Sequence, residues 1–177
     1  FGKAIYSRFP ITIYRTILLN TFRPITYDEI EGAGASDIRP RLPRHMIDAQ
    51  LDIDGKQVRA ISWHGAWTAP PQDTDETLRQ AKIVADYLKG LEAPFILGCD
   101  ANNAPGSKTI GLIDNVSVNL MIGKGIVQTT HPRVHKIVPR GFLVDYIFTS
   151  RHFKLLRLQV PEVLVSDHLP VVAEFEL

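Results

Sequence analysis

The chain has 177 residues, 45% hydrophobic and 22% charged, with a formal net charge of +1 and a single cysteine. A chain of this length buries about 70% of its unfolded surface, so one domain needs neither disulfide nor structural metal. The near-zero charge excludes a tight, non-specific nucleic-acid binder held by phosphate neutralisation, the lone Cys99 excludes an internal disulfide, and no apolar run nears the ~20 residues of a membrane-spanning helix.

In chain order, Gly2 to Pro10 reads as a short strand that ends at a proline. Because Phe1 already lies inside that strand-like segment, the chain is read as a longer protein whose first part is absent, with a leader upstream left open. The absence of disulfide chemistry gives a cytoplasmic expectation. Tyr14 to Phe22 is β-rich, and Thr26 to Pro43 reads as an exposed loop. Ile47, Ala49, Leu51 and Ile53 alternate with polar partners, the period of a half-buried strand, and Asp54-Gly55 is a hairpin turn signal. The return strand runs from Gln57 to Trp63, with His64 at its end on the covered face, in phase with Val58 and Ala60.

A helix follows, with Asp73 as N-cap, Glu76 completing a capping box, and an apolar stripe of Leu78, Ala81, Ala85, Leu88 and Leu91. Gly90 is placed where a left-handed residue closes a helix. The strand Phe95 to Leu97 leads into a loop from Asp100 to Gly106, and a shorter helix starts at Ser107. After a basic loop from Thr129 to Arg140 come strands over Phe142–Phe148, Phe153–Val160, Glu162–Val165 and Leu169–Leu177. Many strands and few helices in one domain over residues 1–177 give an α+β layered sandwich.

Asp145 carries the most information. It interrupts the apolar run Phe142 to Phe148, and a carboxylate in a buried strand is destabilising by several kcal/mol unless paired. It is either a structural ion pair or a group that orients a histidine or binds a metal. Taken alone, Asp167-His168 is equally a turn with a structural histidine, and Asp100 with Asn102 is equally a local Asx turn. As a set, His64, Asp100, Asn102, Asp145, Asp167 and His168 all fall at strand ends or inside apolar strands. Carboxylates and an amide oxygen suit a hard cation such as Mg²⁺, and two histidines offer proton transfer near neutral pH. No cysteine or histidine spacing matches a structural zinc site.

These residues resemble the endonuclease/exonuclease/phosphatase superfamily, which includes pancreatic deoxyribonuclease, abasic-site endonucleases, sphingomyelinases and inositol polyphosphate phosphatases. Gly98-Cys99-Asp100-Ala101-Asn102 is similar to its Gly-Asp-Phe-Asn motif, and Val144-Asp145-Tyr146-Ile147-Phe148 to its Asp-Tyr-Ile strand. Ser166-Asp167-His168-Leu169-Pro170 resembles its Ser-Asp-His-x-Pro signature, and Trp63-His64-Gly65-Ala66-Trp67 a bacterial His-Gly-Leu-Trp variant. Ala4 to Pro10 resembles the strand after the family's metal-binding Glu. The resemblance implies a four-layer α/β/β/α sandwich of two mainly antiparallel sheets with outer helices, its N-terminal strands missing from this chain.

It also implies roles. His168 would lie nearest the scissile phosphate and Asp145 would hold its ring. Asp100 would place or deprotonate the attacking water beside Asn102, and His64 would be a proton donor or phosphate ligand. Asp167 and Asp100 would bind Mg²⁺ or Mn²⁺. Two departures accompany this: the family's Asn and Glu motifs would precede Phe1, and Cys99 and Ala101 replace the motif's Gly and Phe.

Arg133, Lys136 and Arg140, with His131 and His135, give the loop before Asp145 a basic face; it either meets substrate phosphate through Arg133 and Arg140 or is a solvated surface loop. The expected activity is metal-dependent hydrolysis of phosphate esters, of phosphodiesterase or nuclease type, with nucleic acid among the candidate substrates and no protein partner. A phosphomonoesterase on a small or lipid phosphate and a non-catalytic binding relative are the alternatives, because substrate choice rests on loops.

Overall fold

The computed structural model describes residues 3–20, 26–32, 43–135 and 141–177. Its elements in chain order are β1 (Ile11–Leu18), α1 (Tyr27–Gly32), β2 (His45–Ile53), β3 (Lys56–His64), α2 (Asp75–Lys89), β4 (Phe95–Asp100), α3 (Lys108–Asp114), β5 (Val118–Asn119), β6 (Asp145–Thr149), β7 (Lys154–Gln159) and β8 (Val172–Glu176). Six strands form one sheet in the order β1-β2-β3-β4-β6-β5, and β7 pairs with β8 in a second. The fold is mixed α+β with two sheets and few helices.

Asp54 and Gly55 join β2 to β3 with positive φ at both residues, 51° and 84°, as a type I′ turn requires. The crossover through α2 then makes β3 and β4 parallel. The core lies between this sheet and the helices. Ile61 and Trp63 of β3, Leu97 and Cys99 of β4, and Tyr146 and Phe148 of β6 face Ala81, Val84 and Leu88 of α2 and Ile110 and Ile113 of α3. Every second residue of these strands is therefore committed to packing. The alternate set, which includes His64, Asp100 and Asp145, is turned to the opposite face.

On β2 the helix side carries Met46 and Asp48, so the apolar series Ile47, Ala49 and Leu51 faces away from α2. Asp48, fully buried, is ion-paired with Arg59 and accepts a hydrogen bond from the Tyr87 hydroxyl of α2. Period-two alternation identifies the strand, but Asp48, a charged neighbour of the apolar series, is buried as well.

Several boundaries differ from expectation. Residues 3–10 are extended and alternate in exposure, yet among the described residues they form no strand; their contact with the sheet is the Asp52 N–H donating to the Pro10 carbonyl at 3.0 Å. Within the expected loop from Thr26, α1 forms because Thr26 and Glu29 cap one another, the Thr26 N–H donating to Glu29 Oε2 at 3.0 Å. Residues 33–42 of that loop lie outside the described residues. Thr74 rather than Asp73 caps α2, exchanging hydrogen bonds with Thr77. Asp73 instead accepts from the N–H groups of Lys108 and Thr109, both at 2.9 Å, and so ties the start of α2 to α3. Gly90 closes α2 in a right-handed conformation, φ −82°. Residues 162–165 are exposed, bend at 164–165 and pair with no strand among the described residues, so their apolar character does not make them β.

Candidate active site

Three of the expected residues occupy one row across the sheet. His64 ends β3, Asp100 ends β4 and Asp145 opens β6. Pairing puts His64 opposite Asp100, and Asp100 opposite Asp145. The parallel pair presents both C-terminal ends on one edge, and the antiparallel β6 brings its first residue to the same edge. His64 Nε2 lies 3.6 Å from Asp100 Oδ2.

His168 reaches this row from far along the chain. The His131 N–H donates to the Asp167 carbonyl at 2.8 Å and the Leu169 N–H to the Thr129 carbonyl at 2.6 Å, with Thr130 and His168 forming an isolated bridge. The buried Thr129 hydroxyl accepts from the N–H groups of Val144 and Asp145. These bonds lock residues 129–131 between β6 and the Asp167-His168 segment. The result is a hydrogen bond of 2.8 Å between His168 Nδ1 and Asp145 Oδ2. Asp145 is half-buried, not enclosed on both faces as expected, and its ionic partner removes the penalty that an isolated carboxylate would carry.

Asn102 is held beside Asp100 by its own backbone. Its N–H donates to Asp100 Oδ1 at 2.9 Å, its side-chain amide donates to the Gly65 carbonyl at 3.3 Å, and its φ is 51°. Gly65 in turn donates its N–H to the Asp100 carbonyl at 2.8 Å. A Cβ at Gly65 would lie 2.6 Å from the Ala101 carbonyl oxygen, so glycine is required for the two strand ends to approach.

The electrostatics separate the groups. The hydrogen bond from Asp145 raises His168 to about 9, with burial opposing. Burial lowers His64 to about 4, helped by the charges of Arg44 and Lys3. Burial raises Asp100 to about 7, and the nearby charge of Asp145 adds to it. Near neutral pH the site therefore holds one cationic and one neutral imidazole, beside a carboxyl poised to release its proton.

A cavity of about 310 Å³ opens here, lined by His64, Asp100, Asn102, Asp167 and His168. Its other walls carry Lys3, Arg44 and His45, which no motif marked, together with Trp67, His135 and Phe142. Lys3 and Arg44 are cations from segments remote in sequence, which only the tertiary fold brings to His64. The basic loop does not behave as expected. Arg133 points away, with an exposed side chain that faces Glu162 at 3.6 Å, and Lys136 and Arg140 lie outside the described residues. From that loop it is His135 that reaches the cavity, its ring 5.5 Å from that of His168.

Donor atoms suited to a metal gather in two groups, each within 4.8 Å: Asp100, Asp145 and His168, and His135, Asp167 and His168. The expected ligands Asp100 and Asp167 thus belong to different groups that meet at His168. The carboxylate oxygens of the first group fit a hard divalent cation.

The profile of the Endonuclease/Exonuclease/phosphatase family matches residues 1–168. The chain belongs to this family. Members of the Endonuclease/Exonuclease/phosphatase family are hydrolases acting on phosphate esters and generally use a divalent metal. Similar solved structures include a mannosyl-6-phosphatase from Bacteroides thetaiotaomicron VPI-5482 (18% identity, TM-score 0.70, covering 96% of this chain and 67% of that one). A family protein from Bacteroides vulgatus is 19% identical at TM-score 0.71, covering 96% and 66%. The human Nocturnin catalytic domain with bound sulfate is 16% identical at TM-score 0.62, covering 96% and 60%. At these identities the likeness establishes the fold, with its two sheets and outer helices, and the chain spans about two thirds of the length of the two bacterial structures. No curated protein matches the chain.

Proposed function

We propose that the protein hydrolyses phosphate esters with a divalent cation, water attacking in line with the leaving group. The observation that carries this reading is the row of His64, Asp100 and Asp145 along one sheet edge, with His168 clamped to Asp145 at 2.8 Å, and with His64, Asp100 and His168 lining one cavity. In this reading Asp100, which needs little driving force to change protonation near pH 7, accepts the proton of the attacking water. The amide of Asn102 steadies phosphate oxygens. His168, kept cationic by Asp145, stabilises charge developing on the phosphate. His64 is neutral over the working range and serves as a hydrogen-bond donor or phosphate ligand. Mg²⁺ or Mn²⁺ would be held at the Asp100 carboxylate, in the group with Asp145, and when bound would supply charge neutralisation at the phosphate.

A phosphodiester is the first substrate class to test. Bis-p-nitrophenyl phosphate hydrolysis by the full-length protein should require the cation, stop with EDTA and fall at least ~100-fold in His168→Ala. Equal rates in all three conditions remove the enzymatic reading and leave a binding relative.

A second reading, a phosphomonoesterase acting on a small substrate, is favoured by the cavity itself. Its volume of about 310 Å³ and the cations Lys3 and Arg44 suit a compact dianionic ester better than a long polymer. Comparing a sugar phosphate with the diester under the same conditions separates the two.

A further inference from the structure

We propose that His135, Asp167 and His168 form a binding site for a borderline-soft transition cation of the zinc class, distinct from a hard-cation site at Asp100. Each of the three presents a donor atom within 4.8 Å of the other two. Two imidazoles and one carboxylate are a donor set that Zn²⁺ accepts and that Mg²⁺ does not favour.

Three further observations support it. His168 gives Nδ1 to Asp145 at 2.8 Å, which leaves Nε2 as its uncommitted donor. A ligating histidine whose other nitrogen is fixed by a carboxylate is the usual outer arrangement around bound zinc. His135 Nδ1 is buried and has no hydrogen-bond partner among the described residues, a condition that normally calls for a ligand or water. The two segments are also fixed before any ion arrives. The His135 N–H donates to the His131 carbonyl at 2.9 Å, and the His131 N–H to the Asp167 carbonyl at 2.8 Å, so a short hydrogen-bonded path sets the position of one ring against the other. No local spacing announces this set, because His135 and Asp167 lie 32 positions apart in sequence.

A cation bound there would occupy the imidazole that the phosphoester reading assigns to phosphate, so zinc would inhibit hydrolysis. The binding claim does not rest on that reading, since it is measured with no substrate present. The experiment is calorimetric titration of the metal-free full-length protein with ZnCl₂ near neutral pH, without Mg²⁺ because His168 belongs to both donor groups. The variant is His135→Ala, with His152→Ala as a remote control and circular dichroism to confirm folding. We expect one high-affinity zinc, weakened at least ~tenfold by His135→Ala and unchanged by His152→Ala. Equal affinity of the His135→Ala variant and the parent overturns the site, as does an equal loss in the control. On the unaltered protein, zinc should shift the ring resonances of His135 and His168 together. Movement of His168 without His135 also overturns the proposal.

Discussion

Asp145 and His168 stand 23 residues apart in sequence and share one hydrogen bond of 2.8 Å, His168 Nδ1 donating to Asp145 Oδ2. The pair converts an expensive carboxylate at a strand end into the device that sets the charge of an imidazole. In the metal-free protein, His168 should titrate near 9, and Asp145→Asn should bring it back toward the ordinary 6.5. The raised value means the pair stabilises the fold fully below pH 6.5, with loss as pH rises through about 9. Nuclear magnetic resonance titration of the ring measures the first, and urea unfolding across that window the second. A ring value unmoved by Asp145→Asn contradicts the coupling.

Asp100 makes metal affinity pH-dependent. Burial and Asp145 raise it from 3.8 to about 7, so in the absence of a cation its proton stabilises the folded state at low pH, and that contribution disappears as pH rises through 7. A cation must displace this proton. Apparent Mg²⁺ affinity should therefore fall up to ~tenfold for each pH unit below 7 and level off above it. A flat profile in calorimetry between pH ~5.5 and ~8 counts against Asp100 as a ligand.

Arg44 and Arg133 should respond in opposite ways. Arg44 lines the cavity beside His64, whereas Arg133 faces Glu162 across exposed surface. Arg44→Ala is expected to raise KM about tenfold, a loss of about 1.4 kcal/mol, with a smaller effect on kcat. Arg133→Ala should leave KM within twofold. Steady-state kinetics that reverse this order return the phosphate site to the basic loop.

Gly65→Ala tests the contact between the strand ends. The added methyl would meet the Ala101 carbonyl oxygen at 2.6 Å, and backbone on both sides cannot yield cheaply. We expect a loss of about 1–3 kcal/mol in urea unfolding, typical of overpacking. Activity should drop as well, because Asp100 and Asn102 flank the displaced residue. A variant of parental stability and rate shows that the loop has slack.

Asp48→Ala should be the most damaging single change outside the site. It leaves Arg59 buried without its ion pair and removes the acceptor of the Tyr87 hydroxyl. Loss of one partner of a buried pair destabilises by about 3–5 kcal/mol. Replacing both Asp48 and Arg59 with apolar residues of similar volume should recover much of that in chemical denaturation.

The sequence shows a strand best where a local rule and the fold agree. Asp54-Gly55 marked its hairpin because both residues tolerate positive φ, and the acidic strand ends stood out because apolar strands rarely carry charge. The segment Ile11–Leu18, by contrast, was blurred, because the bounds of a strand depend on the partner it pairs with. Residues 162–165 are apolar and still not β for the same reason. The motifs name His64, Asp100, Asn102, Asp145, Asp167 and His168, but cannot name Lys3 or Arg44. These are ordinary residues in loops and extended segments, chemically relevant only through where the chain returns. The capping box of Thr26 and Glu29 was readable and passed over, because Gly, Ser and Pro nearby pointed to a loop.

The pairing of His64 with Asp100 and of Asp100 with Asp145 runs through a continuous ladder of main-chain hydrogen bonds. Reactive groups mounted this way inherit their spacing from the peptide repeat, not from the conformation of any loop. A slip of one residue in any of the three strands would turn its reactive group to the helix side, where Trp63, Cys99 and Tyr146 now sit. Insertions should therefore be harmless in the connections and ruinous within the ladder, which makes strand length, more than loop composition, the dimension this chemistry cannot change.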